Sequence, residues 1–260
     1  MQIVPFSPNR EFIADQLDRM RRFHCPVTLV YEFDLTETLS VLERARGAGA
    51  PVSLTALLVK ATGLVLDRHP RLNRHVFRRW GRRFEAAFDD VSCTLIVGRQ
   101  SPGGEDVLFP VLIRKPGQLS IPEIHGIVRH HKEEPLELLP QMAAFRRIQR
   151  LSWLGRKYFS YKARSDPRFY ARYYGSYGLA SNVARDWGPV AGGGVANTGV
   201  AFFPGVIREV PRVVGGEIRV RRVLYLGVVA DHFLLDGADL ARAMESLRSL
   251  LESPALLAGV

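Results

Sequence analysis

The sequence predicts one α/β domain, and three observations carry that expectation. Apolar residues alternate at strand spacing in some stretches and repeat at helical spacing in others, and the two kinds follow one another in mixed order. At 260 residues with 47% hydrophobic content the chain can bury a sizeable core. No Pro/Ala-rich or Ser/Gly-rich linker divides it, so residues 1–260 are read as a single domain.

The elements follow in chain order. Asn9 can cap a helix in which Ile13, Leu17 and Met20 form one apolar stripe, and Val27 to Phe33 alternates as a strand does. A long apolar helix runs from about Ser53 to Leu66 and stops before Pro70. Residues 93–97, 107–113, 198–203 and 218–229 read as strands, with turns at Pro102-Gly103-Gly104 and Gly215-Gly216. Gly192-Gly193-Gly194 lacks dinucleotide-binding spacing and reads as a loop, with a phosphate cradle as the weaker alternative. Leu240, Met244, Leu247 and Leu251 then mark a last helix, which Ser253-Pro254 ends.

Several classes are excluded on composition. Cys25 and Cys93 are isolated and lack metal-ligand spacing, so no disulfide framework or metal site is expected and both read as small core residues. Met1-Gln2-Ile3-Val4-Pro5 lacks the charged-then-apolar order of a signal peptide, and no apolar run approaches the roughly 18 residues of a spanning helix. A cytoplasmic location is expected.

Asp231-His232-Phe233-Leu234-Leu235-Asp236-Gly237 concentrates the chemistry. It joins a buried apolar strand, Val223 to Val229, to the last helix, so His232 stands at a strand end just before a helix N-terminus. On these residues alone, His232 reads either as a base facing a cleft or as a satisfied imidazole, and Asp236 as either its supporter or a simple N-cap.

This motif, continued by Ala238-Asp239-Leu240-Ala241-Arg242 and by Leu251 to Leu257, resembles the C-terminal segment of the dihydrolipoamide acyltransferases, the catalytic cores of 2-oxoacid dehydrogenase complexes. Chloramphenicol acetyltransferase carries a shorter form. Earlier landmarks are similar in the same order: Pro5 to Arg10, Pro26 to Leu29, Ser53 to Ala61, His69-Pro70-Arg71-Leu72-Asn73, Phe109 to Arg114 and Leu179-Ala180-Ser181-Asn182. The resemblance covers roughly residues 5–126 and 176–257.

The resemblance implies a two-layer chloramphenicol-acetyltransferase-like sandwich with a mixed sheet, assembled as a homotrimer or multiple of trimers, with the active site between subunits. It implies that a coenzyme A thioester is the co-substrate, that no cofactor is bound covalently, and that an acyl group passes directly to a hydroxyl, thiol or amine acceptor. His232 would be the general base, and Ser181, 51 residues earlier, would donate to the tetrahedral oxyanion. Asp236 would pair with Arg10, which lies 17 residues before Val27, and so hold the histidine loop. The competing reading is a noncatalytic trimeric scaffold, which would have no need of His232, Asp236, Ser181 and Arg10 together.

Two departures bear on the acceptor. Phe233 stands where the family normally has arginine, and the sequence carries the expectation of a stand-alone core, without lipoyl domain, subunit-binding domain or flexible linker. Dihydrolipoamide is therefore expected in trans, or is replaced by another small molecule. An insertion at about residues 129–175 is basic and aromatic-rich; from Phe145 to Gly175 its only acid is Asp166. Phe145, Ile148, Leu151, Leu154 and Tyr158 fall close to one helical face flanked by arginines, as in helices that lie on anionic membranes, and equally as in a helix packed on the core. Residues 145–174 thus read first as a helical segment packed on the core or on a neighbouring subunit, with contact to an anionic membrane surface or lipid substrate as the alternative. Nucleic-acid binding is not expected, since no recognised module accompanies the net charge of +10.

Overall fold

A six-stranded mixed sheet carries the core on one face, and its strand order places the His232 motif near one edge. The structure is a computed structural model that describes residues 6–100, 106–135, 138–180, 191–194 and 197–258. The strands are β1 (Pro26–Asp34), β4 (Ser92–Gln100), β5 (Asp106–Arg114), β6 (Tyr177–Ala180), β7 (Val200–Val214) and β8 (Glu217–Asp231), in the order β1-β8-β7-β6-β4-β5. The β4–β6 and β6–β7 pairs are parallel and the others antiparallel. A separate hairpin pairs β2 (Arg74–Arg79) with β3 (Arg82–Ala87).

The inward face follows the period of two that a half-buried strand requires. Cys93, Leu95 and Val97 of β4, Leu224, Leu226, Val228 and Ala230 of β8, and Val200 and Phe202 of β7 all enter one core. Over them lie α2 (Thr36–Gly47), α3 (Leu54–Arg68), α4 (Ile121–Glu133) and α8 (Gly237–Leu251). Helix α3 is apolar almost all round and correspondingly buried, and Ser53 caps it by accepting from the Ala56 amide at 3.2 Å. The expected two-layer mixed α/β architecture is thus present.

β7 and β8 form a long hairpin closed by Gly215 and Gly216, both at positive φ (61° and 84°), the conformation that a two-residue hairpin turn with right-handed twist demands. Its outer part projects beyond β1 and leaves Val213, Ile218 and Val220 exposed. On the other face of the sheet, Gly192–Gly194 packs backbone to backbone, so that a methyl group on Gly227 would run into the Gly192 carbonyl. This loop leads toward β7 rather than opening a helix, and so lacks the helix N-terminus of a phosphate cradle.

Three expectations need correction. Helix α1 (Pro8–Phe23) is capped by Ser7, not Asn9, with Pro8 in the first turn. It buries Gln16, Arg19 and Met20 and leaves Leu17 exposed, because the surface it faces is polar and aromatic rather than aliphatic. Cys93 is buried, with its thiol pushed up to about 12 by burial, but Cys25 is exposed.

The basic, aromatic-rich segment also differs from its expected form. The supposed single face is divided between α5 (Pro140–Gln149) and α6 (Trp153–Ser165), because Ser152 starts a new helix by accepting from the Gly155 amide. Ile148 is buried while Leu154 and Tyr158 are exposed. A third helix, α7 (Pro167–Tyr173), is capped by Asp166. The segment docks on α1 through ion pairs from Arg156 to Asp15 (2.8 Å) and Glu11 (3.4 Å), and from Lys157 to Asp15 (3.2 Å). Among the described residues no helix is long and apolar enough to cross a membrane.

Glycines separate the tight contact from the open one. Gly227→Ala is expected to cost about 1–3 kcal/mol, the range for overpacking a closed site. Gly126→Ala, inside α4 with nothing near its Cβ position, should stabilise by about 0.5–1 kcal/mol. Urea unfolding of both variants measures the contrast.

Candidate active site

The histidine loop is built on one buried carboxylate. Asp231 ends β8 opposite Pro26 of β1 and is only 3% exposed. Its Oδ1 accepts from the Cys25 and Phe233 amides, each at 3.1 Å, and its Oδ2 lies 2.6 Å from His24 Nδ1. The Asp231 carbonyl accepts from the Leu234 and Leu235 amides, and the His232 amide donates to the Cys25 carbonyl at 2.8 Å. Burial alone would push the Asp231 carboxyl up, but the bonds from His24 and the two amides outweigh it and hold the group below the usual carboxylate range.

His232 projects from this loop with its side chain half exposed. Its Nδ1 lies 3.0 Å from the Leu235 carbonyl. A carbonyl can only accept, so Nδ1 carries the proton and Nε2 presents a lone pair outward. Asp236 Oδ1 is 3.8 Å from Nδ1, beyond hydrogen-bond reach, so the two do not form a protease-like dyad. Asp236 instead caps α8, in a capping box whose return bond runs from its amide to Asp239 Oδ2 at 3.4 Å.

The expected Arg10–Asp236 ion pair is not formed. Arg10 is exposed in the first turn of α1, whose buried residues Gln16, Arg19 and Met20 lie one to three turns further along. The arginine that braces the loop is Arg71, which donates to the Leu234 carbonyl at 3.3 Å and pairs with Asp239 at 3.2 Å. Arg68, Arg71 and Arg242 line a cleft of about 190 Å³ with Asp239 as its acid. Arg71 lies in the His69-Pro70-Arg71-Leu72-Asn73 stretch and Asp231 in the histidine motif, where the sequence assigns neither a role, and His24 carries no sequence signal. Ser181 lies outside the described residues. Among those described, no three His, Cys, Asp or Glu side chains are grouped to hold a metal ion.

Comparison with known proteins gives this geometry its context. A profile of the family described as 2-oxoacid dehydrogenases acyltransferase (catalytic domain) matches residues 1–86 and 201–258, together more than half of the chain. The chain belongs to that family. It is 42% identical over 72 residues to the lipoamide acyltransferase component of the branched-chain alpha-keto acid dehydrogenase complex of Pseudomonas aeruginosa, a match covering 25% of this chain and 17% of that protein. The chain thus spans well under two thirds of the relative's length. Among solved structures, a probable dihydrolipoamide acetyltransferase from Listeria monocytogenes superposes with a TM-score of 0.69 at 17% identity, covering 98% of this chain and 95% of the other. A chloramphenicol acetyltransferase gives 0.52 at 14% identity, covering 96% and 99%. The fold is therefore chloramphenicol-acetyltransferase-like.

The stretch the family profile leaves unmatched reaches the floor of the loop. Tyr170 of α7 is fully buried and stacks on His75 with centroids 4.4 Å apart, and His75 in turn lies 5.0 Å from the His24 ring. Tyr170 Oη donates to the Asn197 carbonyl, whose side chain accepts from Arg19. Burial, with the added repulsion of His24 and Arg19, holds the His75 imidazole well below its ordinary range, so it stays neutral when folded.

An acid-side stability slope follows. Below pH about 6.5 an unfolded histidine takes up a proton that folded His75 refuses, so the folded state loses stability as pH falls, at about 1.4 kcal/mol per pH unit until folded His75 itself protonates. His75→Phe, which keeps a ring in the stack, should flatten that slope between pH 6.5 and 5. Urea unfolding at several pH values measures it.

Proposed function

We propose that this chain is a coenzyme A-dependent acyltransferase in which His232 is the general base. The observation that carries the reading is the His232 tautomer: with Nδ1–H tied to the Leu235 carbonyl, Nε2 is free to take a proton. Family membership supplies the reaction class. Nε2 takes the proton of the acceptor's thiol, hydroxyl or amine as that group attacks the thioester carbonyl. The tetrahedral intermediate then expels the coenzyme A thiolate, which receives the proton from His232. One C–S bond breaks, one bond to the acceptor forms, and the base is regenerated with no group held covalently on the protein.

Ser181 is assigned as the donor to the oxyanion, and a homotrimer, or a multiple of trimers, as the working assembly. Strand topology supports a site shared between copies. β6 begins at the edge of the sheet where β8 ends, and Ala180 lies two strands away and about 10 Å further from that edge, so the strand that leads to residue 181 runs away from His232 of its own chain. The exposed Val213, Ile218 and Val220 of the projecting hairpin offer apolar contact to a neighbour. Arg68, Arg71 and Arg242 suit the phosphates of coenzyme A. The acceptor is a carrier-bound dithiol supplied in trans or a small molecule; Phe233, with the Arg83 guanidinium 4.4 Å over its ring, makes the motif's surroundings more apolar than an arginine would.

We place the protein in the cytoplasm, with peripheral attachment to anionic lipid through residues 145–174. Trp153, Leu154 and Tyr158 are 62%, 70% and 64% exposed, with Arg147, Arg150 and Lys157 nearby in sequence and also exposed. Interfacial aromatics beside cations are the composition such surfaces bind, at roughly 1 kcal/mol per cation.

His232→Ala should lower acyl transfer by about 10²- to 10⁴-fold while leaving folding and assembly intact, read by release of free thiol from a series of acyl-CoA chain lengths. Unchanged turnover refutes the assignment. For the lipid contact, the full chain should co-sediment with phosphatidylserine vesicles at low salt and much less at high salt. Trp153→Ser/Leu154→Ser and Arg147→Glu/Arg150→Glu should each weaken it; equal binding to neutral vesicles, or none to either, removes the membrane contact.

A further inference from the structure

The residue expected to hold the histidine loop, Asp236, is largely solvent-exposed and does not reach His232 with a hydrogen bond, nor does it meet Arg10. The loop is nevertheless tied on both sides of the histidine. Residues 231 and 233 are bound to the Asp231 carboxylate, by covalent attachment and by the Phe233 amide, while the same carboxylate takes the Cys25 amide and the Cys25 carbonyl takes the His232 amide. One buried anion and one peptide group thus clamp three consecutive residues of the loop to the start of β1.

The second carboxylate oxygen is occupied by His24, at 2.6 Å, and His24 is backed by the His75 and Tyr170 rings. That wall keeps water from competing for the carboxylate, so its bonds to the loop act in a low-dielectric setting where they are strong. With the backbone of 231–233 fixed, the His232 side chain needs only its bond to the Leu235 carbonyl to settle both ring orientation and tautomer.

We propose that Asp231, oriented by His24 against the His75–Tyr170 stack, is the positioning residue that presents His232 Nε2 to the reacting groups. This rests on the acyl-transfer reading for what His232 does, and on hydrogen-bond geometry alone for how it is held. Asp231→Ala removes the clamp. Asp231→Asn keeps an oxygen for the two amides and turns its nitrogen to His24, which can accept in its other tautomer. His24→Gln removes the ring wall while leaving both amide bonds.

The test uses the full chain with 15N-labelled histidine, the His232 resonances being identified by their loss in His232→Ala. Wild type should show His232 in the Nδ1–H tautomer at neutral pH; Asp231→Ala should show a mixture of tautomers, and Asp231→Asn should restore the wild-type signal. In turnover, Asp231→Ala should lower kcat by about a hundredfold, the cost of a small misplacement of a catalytic group, with KM for acyl-CoA within about twofold and Asp231→Asn within about threefold of wild type. An unchanged His232 tautomer in Asp231→Ala, or a lower melting temperature with kcat per folded chain unchanged, would overturn the proposal. If Asp231→Ala does not fold, His24→Gln decides: a partial tautomer shift supports the clamp and a wild-type spectrum refutes it. The spectra stand without turnover, so a wild type that transfers no acyl group refutes the acyltransferase reading alone.

Discussion

A single buried anion, the Asp231 carboxylate, is the constraint on which the loop geometry depends. A carboxylate at the end of a central strand is costly to bury, and it is stable there only because both oxygens are filled by donors from the first strand, the loop and His24. Satisfying that charge fixes the distance between the end of β8 and the start of β1, and the same bonds set the path of the chain into α8. Electrostatic satisfaction and loop conformation are here one requirement, so the sheet edge and the histidine cannot move independently.

The basic segment belongs to this arrangement and is more than an external appendage. Its middle helix, α6, commits Arg156 and Lys157 to the acids of α1. Its last helix, α7, sends Tyr170 under the histidine loop, where it closes a column of rings. Helix α1 is held from the same side, through Gln16 accepting from Tyr174 and the Arg19 guanidinium lying over that ring. A chain lacking the segment would have to fill the floor beneath His24 and His75 with something else.

What the sequence made legible was local or strongly patterned. Helix α3 and the β8–loop–α8 unit stand out because their apolar periods are unbroken and their caps are conventional. Helix α2 is not legible in the sequence because it buries only Thr38, Leu39 and Leu42, too few for a visible stripe. The β2–β3 hairpin is not legible either, because β3 is exposed and rich in arginine, a strand by pairing rather than by pattern. The site residues divide in the same way. His232 and the capping role of Asp236 follow from their neighbours in sequence, whereas the Arg71 brace and the His24–Asp231 contact join residues more than 150 positions apart, and no single-chain pattern encodes such a partner. The inward rotation of α1 toward Arg19 has the same origin, since its partners lie in the basic segment and beside β7.

The Leu235 carbonyl that fixes the His232 ring sets this loop apart from carboxylate-backed histidines. In hydrolases that use a histidine backed by a carboxylate, the imidazolium is held by a full opposite charge. Here the neighbour is a neutral peptide dipole, and the closest acid, Asp236, stands in water at 3.8 Å. The ring's orientation and tautomer therefore depend on backbone geometry and not on the charge state of a neighbouring side chain. In the acyl transfer proposed above, such a base would take a proton from one substrate and hand it to the other, in either direction, without a carboxylate partner that must move with it.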